Sequence, residues 1–504
     1  MRMTRRPIQL PVAIVLSATV SFLYAPCASA VPSFTRQYGV SCTSCHTMWG
    51  SLNVSGATFR LSGYRAMNGR DVTPSEKPIE LAGGALTIPG SLPASLITGV
   101  AAEYRREDRG AETATDNIVR TGSNLTVADA SIFLSGPLGK HLAFFIEFPM
   151  FESKAWEFTP TGPAEANDRT TGNLVLPTES PVFEVAKFWW NSLFGDALPR
   201  DSVNLLGGIT HLPLAYPSGK VRLSVNQYLV YERRGLDYIS KKKVDDLASP
   251  ETIDRIFRLG EPQGMFEVNG MIVPGKPVTD VGKRQTLWLE YHAGTATGSN
   301  AASDGNTAKG IYGRLVGRWY NQSLGVFAFW TPDIFDDELR TSAAIGNAAN
   351  PGIMSGAQVP NGTLRAGPDA TLSLAPFGLP ISLDNNVLYN RESSPTGFGK
   401  EFVWWGGFHQ LNWFPSRIFA AYIRYDWISG KLFDDTGTTV NGVTGVTRVH
   451  PSEWDVVAGA QYLILENFKF IGEYRHHEFK DEAGTPRVAT LTDDGFTIRT
   501  MVGF

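Results

Sequence analysis

The sequence predicts an all-β chain: an antiparallel transmembrane β-barrel of about sixteen strands, with a small N-terminal α-helical segment packed in or against it. Three observations lead there. From about Leu96 onward, apolar and polar residues alternate with period two over many short segments. The connections between those segments alternate between short turns and long polar loops, as in barrels whose turns lie on one side of a membrane and whose loops lie on the other. The last segment is itself alternating, and it ends on Phe504.

Composition agrees. The 504 residues include 12 Trp, 16 Tyr, 29 Phe and 51 Gly, which suits many short strands and turns. Beyond the first thirty residues no stretch is apolar for long enough to cross a membrane as a helix.

Residues 1–30 read as a secretory signal peptide. Arg2, Arg5 and Arg6 form its basic start, Leu10 to Leu23 its apolar centre, and Ala28-Ser29-Ala30 a cleavage site, so that the mature chain begins at Val31. Cys27 leaves with it, and its flank, Tyr24-Ala25-Pro26, is a poor lipoprotein signal. Without the three leader arginines the balance is 42 basic to 49 acidic residues, a net charge near −7. That excludes nucleic acid as a natural partner.

Residues 31–80 form the second unit, and it is built around Cys42-Thr43-Ser44-Cys45-His46. This is C-x-x-C-H, the attachment pattern of a c-type haem. Two thiols at this spacing add to the two vinyl groups of one porphyrin, and the histidine becomes the proximal iron ligand. A zinc half-site would need a second ligand pair. No other cysteine remains after the leader is removed, and export to an oxidising compartment suits covalent haem.

Around the motif, Phe34 and Tyr38 are spaced to share one face of a short helix. Ala57 to Arg65 reads as another, with Phe59 as an apolar contact for the porphyrin. Arg36, Arg60 and Arg65 are candidate partners of the haem propionates, against the plain alternative of solvated arginines. About fifty residues is small for a self-standing domain, so the unit is expected to lean on its cofactor or on a larger body.

A sulfur as sixth ligand raises a haem potential. Met67 is the first candidate. Met48 lies too close to His46 to wrap to the far face, and Met150, Met265, Met271, Met354 and Met501 remain open, as do His211, His409, His476 and His477.

Residues 81–504 form the barrel. In its last strand Phe496, Ile498, Thr500, Val502 and Phe504 share one face, while Thr497, Arg499, Met501 and Gly503 share the other. Phe419 to Trp427 alternates with Arg424 and Asp426, Trp454 to Ile464 with Asp455 and Gln461, and Phe468 to Tyr474 with Lys469, Glu473 and Arg475. Ser131 to Phe148 reads as a hairpin around Gly136-Pro137-Leu138-Gly139.

Short turns fall near Gly136–Lys140, Asn321-Gln322, Phe377–Leu379, Phe414–Ser416 and Leu465-Glu466. Long loops fall at 106–123, 154–180, 332–366, 428–452 and 479–493. Counting gives about six strands from Leu96 to Arg233 and about ten from Arg284 to Phe504, an even total with both termini periplasmic. Residues 234–283 fit neither count and read as a periplasmic insertion or a miscounted hairpin. Asp333, Asp336, Asp337 and Glu338 cluster in one predicted extracellular loop, a chemistry suited to hard cations, although such clusters are usually just solvated.

The run from Pro32 to His46 (Pro32-Ser33-Phe34-Thr35-Arg36-Gln37-Tyr38-Gly39-Val40-Ser41 and the motif), followed by Leu52, Gly56, Phe59 and Ser62-Gly63-Tyr64, resembles the start of the fused outer-membrane monohaem cytochrome–porins of iron-oxidising bacteria. That family's pattern is P-x-F-A-R-Q-T-G before the haem motif, then a leucine, a glycine, F-K and N-G-Y. Here Thr35, Tyr38, Arg60 and Ser62 replace its alanine, threonine, lysine and asparagine, and Gly50 stands where a proline is common. None of these touches the haem ligation, and the motif match covers Pro32 to Tyr64.

The resemblance implies one covalent haem c at or in the mouth of a porin-like barrel in outer-membrane lipid. It implies single electrons carried from an extracellular donor, Fe(II) first, to a periplasmic cytochrome or other carrier. A haem-bearing transport porin and a haem peroxidase are the competing readings. Hydrolase and phosphate-binding motifs are absent.

Overall fold

The computed structural model describes residues 33–38, 41–65, 79–81, 86–88, 93–110, 118–139, 141–152, 184–218, 221–239, 257–274, 287–298, 307–334, 360–440, 443–444, 448–481 and 490–503. Sixteen of its strands close into one antiparallel barrel. In chain order they are β1 Ala94–Gly110, β2 Ile118–Leu138, β3 Leu142–Glu152, β4 Val185–Trp190, β5 Asn204–Thr210, β6 Gln263–Ile272, β7 Leu287–Ala296 and β8 Gly310–Trp319. There follow β9 Gln322–Thr331, β10 Thr363–Ser373, β11 Ile381–Glu392, β12 Phe402–Trp413, β13 Phe419–Gly430, β14 Pro451–Leu465, β15 Phe468–Asp481 and β16 Thr490–Gly503.

Each strand pairs with its neighbours in the chain, and β16 closes the ring on β1 from Thr490↔Gly110 to Gly503↔Ile97. Closure leaves no free sheet edge. The even number brings the start of β1 and the end of β16 to one rim, the rim of the tight turns at 320–321 and 466–467.

The period-two pattern decides which face each side chain takes. On β13, Ile423 and Tyr425 are 51% and 44% exposed, while Arg424 and Asp426 between them are fully buried. The same alternation puts Asp455, Gln461, Lys469 and Glu473 inside and Tyr462, Phe470 and Tyr474 outside. Trp190, Trp319, Trp413 and Tyr462 project outward near the short-turn rim, and Trp330 and Trp405 near the other. Trp405 and Trp413 stand eight residues apart on β12, about 26 Å along a strand rising ~3.3 Å per residue. With strands tilted about 35–45° this projects to roughly 20 Å, and an apolar band of about that height between aromatic margins is the exterior of a membrane-spanning barrel.

The total of sixteen agrees with the sequence, but its division does not. Five strands precede residue 211 and eleven follow residue 262. The sixth strand expected before Arg233 is absent from the wall, because Pro213 and Pro217 remove ladder donors and the chain turns inward. Part of the misfit stretch, Gln263–Ile272, is wall strand β6. The rest of the described insertion between β5 and β6 enters the lumen, not the periplasm as the sequence suggested. Its short helices α3 (Leu229–Glu232) and α4 (Gly235–Ile239) bury Tyr228, Leu229, Val230, Tyr231 and Tyr238. These pack with Phe257 and Leu259 against inward-facing Phe327, Phe329, Phe402, Trp404 and Phe408. The loop expected at 106–123 is also shorter, since β1 and β2 run on to Gly110 and from Ile118.

Candidate functional site

The N-terminal segment is held in the mouth of the barrel at the short-turn rim. Helix α1 (Ser33–Tyr38) lies against β2: Ser33 Oγ is 2.9 Å from Ser135 Oγ, and Gln37 Nε2 donates to Ser135 O at 3.0 Å. Arg65 Nη2 donates to Gly139 O and Leu142 O at 2.6 and 2.9 Å, and Asn191 Nδ2 donates to Ser62 O at 2.8 Å. Phe34 and Tyr38 both pack edge-on against Phe59, as their spacing predicts, with ring centres 5.2 and 5.4 Å apart. Tyr64 extends this cluster to Phe145 and Trp189 of the wall.

The C-x-x-C-H motif forms one tight turn. Cys42–Ser44 is a single 3-10 turn, closed by Cys45 N donating to Cys42 O at 3.1 Å. His46–Met48 then pairs antiparallel with Ser51–Leu52, with Gly50 at φ +101° in the bend. The following helix α2, Val54–Leu61, begins three residues before the expected Ala57 because Asn53 caps it. Asn53 Oδ1 accepts the Gly56 N–H at 3.0 Å. Its Nδ2 donates to Thr43 O and Ser44 O, each at 3.2 Å, and its backbone N–H to Cys45 O at 2.9 Å. One asparagine thus joins the cysteine turn to the helix after it.

Gly56 sits where a Cβ would lie 2.0 Å from Cys45 O. Gly56→Ala is therefore expected to push α2 off the cysteine turn, at a cost of about 1–3 kcal/mol for overpacking. The check is haem per protein in the purified variant, which should fall while the barrel still shows heat-modifiable migration.

Cys42 and Cys45 are both free thiols, partly buried. Burial pushes each up to about 11, with Glu466 adding to the effect on Cys42, so both stay protonated. Cys42 Sγ lies 3.7 Å from Glu466 O in the β14–β15 turn. Burial, reinforced by the Lys469 ammonium, lowers His46 to about 4, so its imidazole is neutral and can donate a lone pair. Its Nδ1 is buried without a hydrogen bond of good geometry, beside the Ser51 backbone. Two adjacent free thiols and a neutral, partly buried imidazole fit the donor set of a covalent haem.

The other sequence candidates scatter. Met67 lies outside the described residues, as do Met354, Asp336, Asp337 and Glu338. Arg36 lies in α1. Arg60 is half-buried near the lumen groups Glu290, Arg318 and Arg314, and desolvation lowers its pKa. Met48 is 2% exposed and packs with Leu223, Ala420, Tyr422, Val457 and Leu463, which accounts for it as core.

His409 lies on the outer face and meets Asn385 Oδ1 at 2.9 Å. His476 meets Asp494 Oδ1 at 2.8 Å, and Met150 is exposed. His477 faces inward but stands eight residues along β15 from Lys469, about 26 Å away. His211 follows the end of β5 at the opposite rim, and Met265 belongs to the core around the insertion. Met271 lies on β6. Met501 is different: it faces the lumen directly opposite Lys469 in the β15–β16 register, two residues from Gly503, which borders Trp49. Asp333 is buried, and its Oδ1 accepts the Asn361 N–H at 3.0 Å.

Lys469 itself carried no signal in the sequence, where it is one polar residue in an alternating strand. In the structure it is 3% exposed, its Nζ donates to Trp49 O at 3.2 Å, and it sits 5.0 Å from the Trp49 ring centre.

No family model and no curated protein matches the chain. Among solved structures it is similar to an anion-selective porin from Comamonas acidovorans, at 9% identity over 82% of this chain and 99% of that one, with a TM-score of 0.45. It is also similar to the outer-membrane channel DcaP of Acinetobacter baumannii, at 10% identity over 82% and 97%, TM-score 0.42. OmpF of Salmonella typhi, in complex with daunomycin, is similar at 12% identity over 84% and 100%, TM-score 0.39. The barrel stands on its own strand pairing and not on these distant likenesses.

Proposed function

We propose that the chain is an outer-membrane electron-transfer protein of the cytochrome–porin kind. It takes single electrons from an extracellular donor, Fe(II) foremost, and delivers them through one haem c to a periplasmic carrier. The observation that carries this reading is the placement of Cys42, Cys45 and His46: a haem-attachment turn clamped inside the mouth of a membrane barrel, with its imidazole partly buried and neutral. Haem c supplies a one-electron couple there. The chain's own residues do the rest. Asn53 and Gly56 hold the cysteine turn, α1 and Arg65 fasten it to the wall, and the packed lumen keeps solvent from flowing past it.

Both chain ends of the barrel wall lie at the short-turn rim, which in this reading faces the periplasm and a soluble acceptor. The haem-bearing porin is the alternative reading, and a lumen filled with buried aromatic residues counts against it.

The test is stopped-flow spectroscopy of the detergent-purified holoprotein mixed anaerobically with Fe(II). Rapid, full reduction of a six-coordinate haem is the expected result. A haem that dithionite reduces but Fe(II) leaves untouched would remove iron as donor. A five-coordinate haem that reacts with peroxide would favour an enzyme instead.

A further inference from the structure

Lys469 is a buried cation without a counter-ion. Its ammonium is shielded from solvent, donates to the Trp49 carbonyl and lies beside the Trp49 ring and Gly50. Among the described residues no carboxylate comes within ion-pair reach of it. Several lumen cations are matched, Arg475 with Asp455 at 2.9 Å, Arg314 with Asp369 at 2.6 Å and Arg233 with Glu453 at 2.6 Å, whereas Lys187 lies over the Phe145 and Trp189 rings at 5.4 and 4.9 Å, farther from the cysteine turn's strand. Leaving a buried charge uncompensated is costly. Such a group is kept where an anion arrives to meet it.

The anion is identified by the surroundings. Lys469 belongs to the wall, yet it touches the haem segment three residues after His46, and its field reaches the His46 imidazole. The group expected in that space brings its own carboxylates, the two propionates of the porphyrin. We propose that Lys469 is the charge partner of a haem propionate, so that the barrel wall and not the haem segment alone anchors the cofactor. This inference rests on the covalent-haem reading above. It also moves the principal propionate contact away from Arg60, which has Glu290 nearby.

A fixed positive charge beside the porphyrin disfavours the ferric state and raises the potential. Lys469→Gln should therefore keep covalent haem but lower the midpoint. The shift expected is about tenfold in the oxidised-to-reduced ratio at a fixed mediator potential, ~59 mV for one electron. Lys469→Arg should restore most of it.

Unchanged potential in Lys469→Gln, or equal shifts in the Gln and Arg variants, would each overturn the proposal. A Lys469→Gln spectrum with altered axial ligation would overturn it too, by making the amine an iron ligand. Absence of covalent haem from the wild-type protein, seen on a haem-stained denaturing gel, is a separate outcome that overturns the function proposed above.

Discussion

Alanine at both Cys42 and Cys45 is expected to abolish haem retention, with haem per protein falling from near one to near zero by pyridine haemochrome assay and by haem staining of a denaturing gel. The two thiols are free and share a single 3-10 turn, so nothing in the fold already consumes them. Neither has a role in packing that would explain a paired spacing otherwise, since both are only partly buried at the mouth. Each single variant should retain one thioether and a reduced yield. His46→Ala should differ in kind: the porphyrin stays covalently bound while the iron loses its proximal nitrogen and the absorption spectrum changes. Haem retained in full by the double alanine variant would mean that attachment lies elsewhere and would sink the assignment of the motif. The barrel should be indifferent to all of these changes, because its pairing and exterior do not involve residues 41–46.

The parts that could be read from the sequence are those with a local physical signature. Strand faces are legible because a period-two pattern is imposed residue by residue by lipid outside and polar neighbours inside, as with Ile423 and Arg424. The C-x-x-C-H pattern stands out because covalent haem attachment would need fixed residue types at a fixed spacing. The lumen insertion was not legible. Its apolar residues Leu212, Leu214, Leu229, Val230 and Tyr231 meet inward faces of β9, β12 and β13, and no sequence period distinguishes a strand facing lipid from a loop folded inside a barrel.

Lys469 was hidden for a related reason. Its place in the alternation is that of any lumen residue, and only the docking of Trp49 against it reveals a cation without its anion. Gly56 is an intermediate case. The sequence gives a glycine in a recognisable spacing, and the structure supplies the reason, a helix pressed onto the Cys45 carbonyl.

Electrical measurements should show the second large effect: a planar bilayer containing the intact protein is expected to conduct only a small fraction of what an open sixteen-strand barrel would pass. Barrels of this size ordinarily enclose an aqueous channel. Here the insertion occupies the lumen and is bonded to the wall from several directions. Arg424 Nη1 donates to Ser224 Oγ and Asn226 O at 2.8 and 2.9 Å, and its Nη2 to Gln227 O at 3.0 Å. Glu473 accepts the Val225 and Asn226 N–H groups at 2.9 and 3.2 Å, and Glu392 accepts that of Gly235 at 2.6 Å. Tyr238 donates to Glu453 Oε2 at 2.6 Å, while Tyr228 stacks on Phe408 with ring centres 3.7 Å apart. Buried bonds of this kind are expensive to open singly, since each rupture strands a desolvated partner at about 1–3 kcal/mol. The insertion is therefore a fixed plug on the timescale of ion passage. Among the described residues, a water-sized cavity of about 70 Å³ lies where Asn226 of the plug meets Glu103, Arg105, Glu473, Arg475 and Asp493 of the wall. Replacing residues 212–260 by a short Gly-Ser linker should then raise single-channel conductance at least tenfold while leaving covalent haem in place, because α1, Arg65 and Asn53 still hold the cysteine turn when Met48 loses its contact with Leu223 of the plug. A wild-type protein that already conducts like an open porin would reverse the argument and make solute passage, with haem as an accessory, the primary activity.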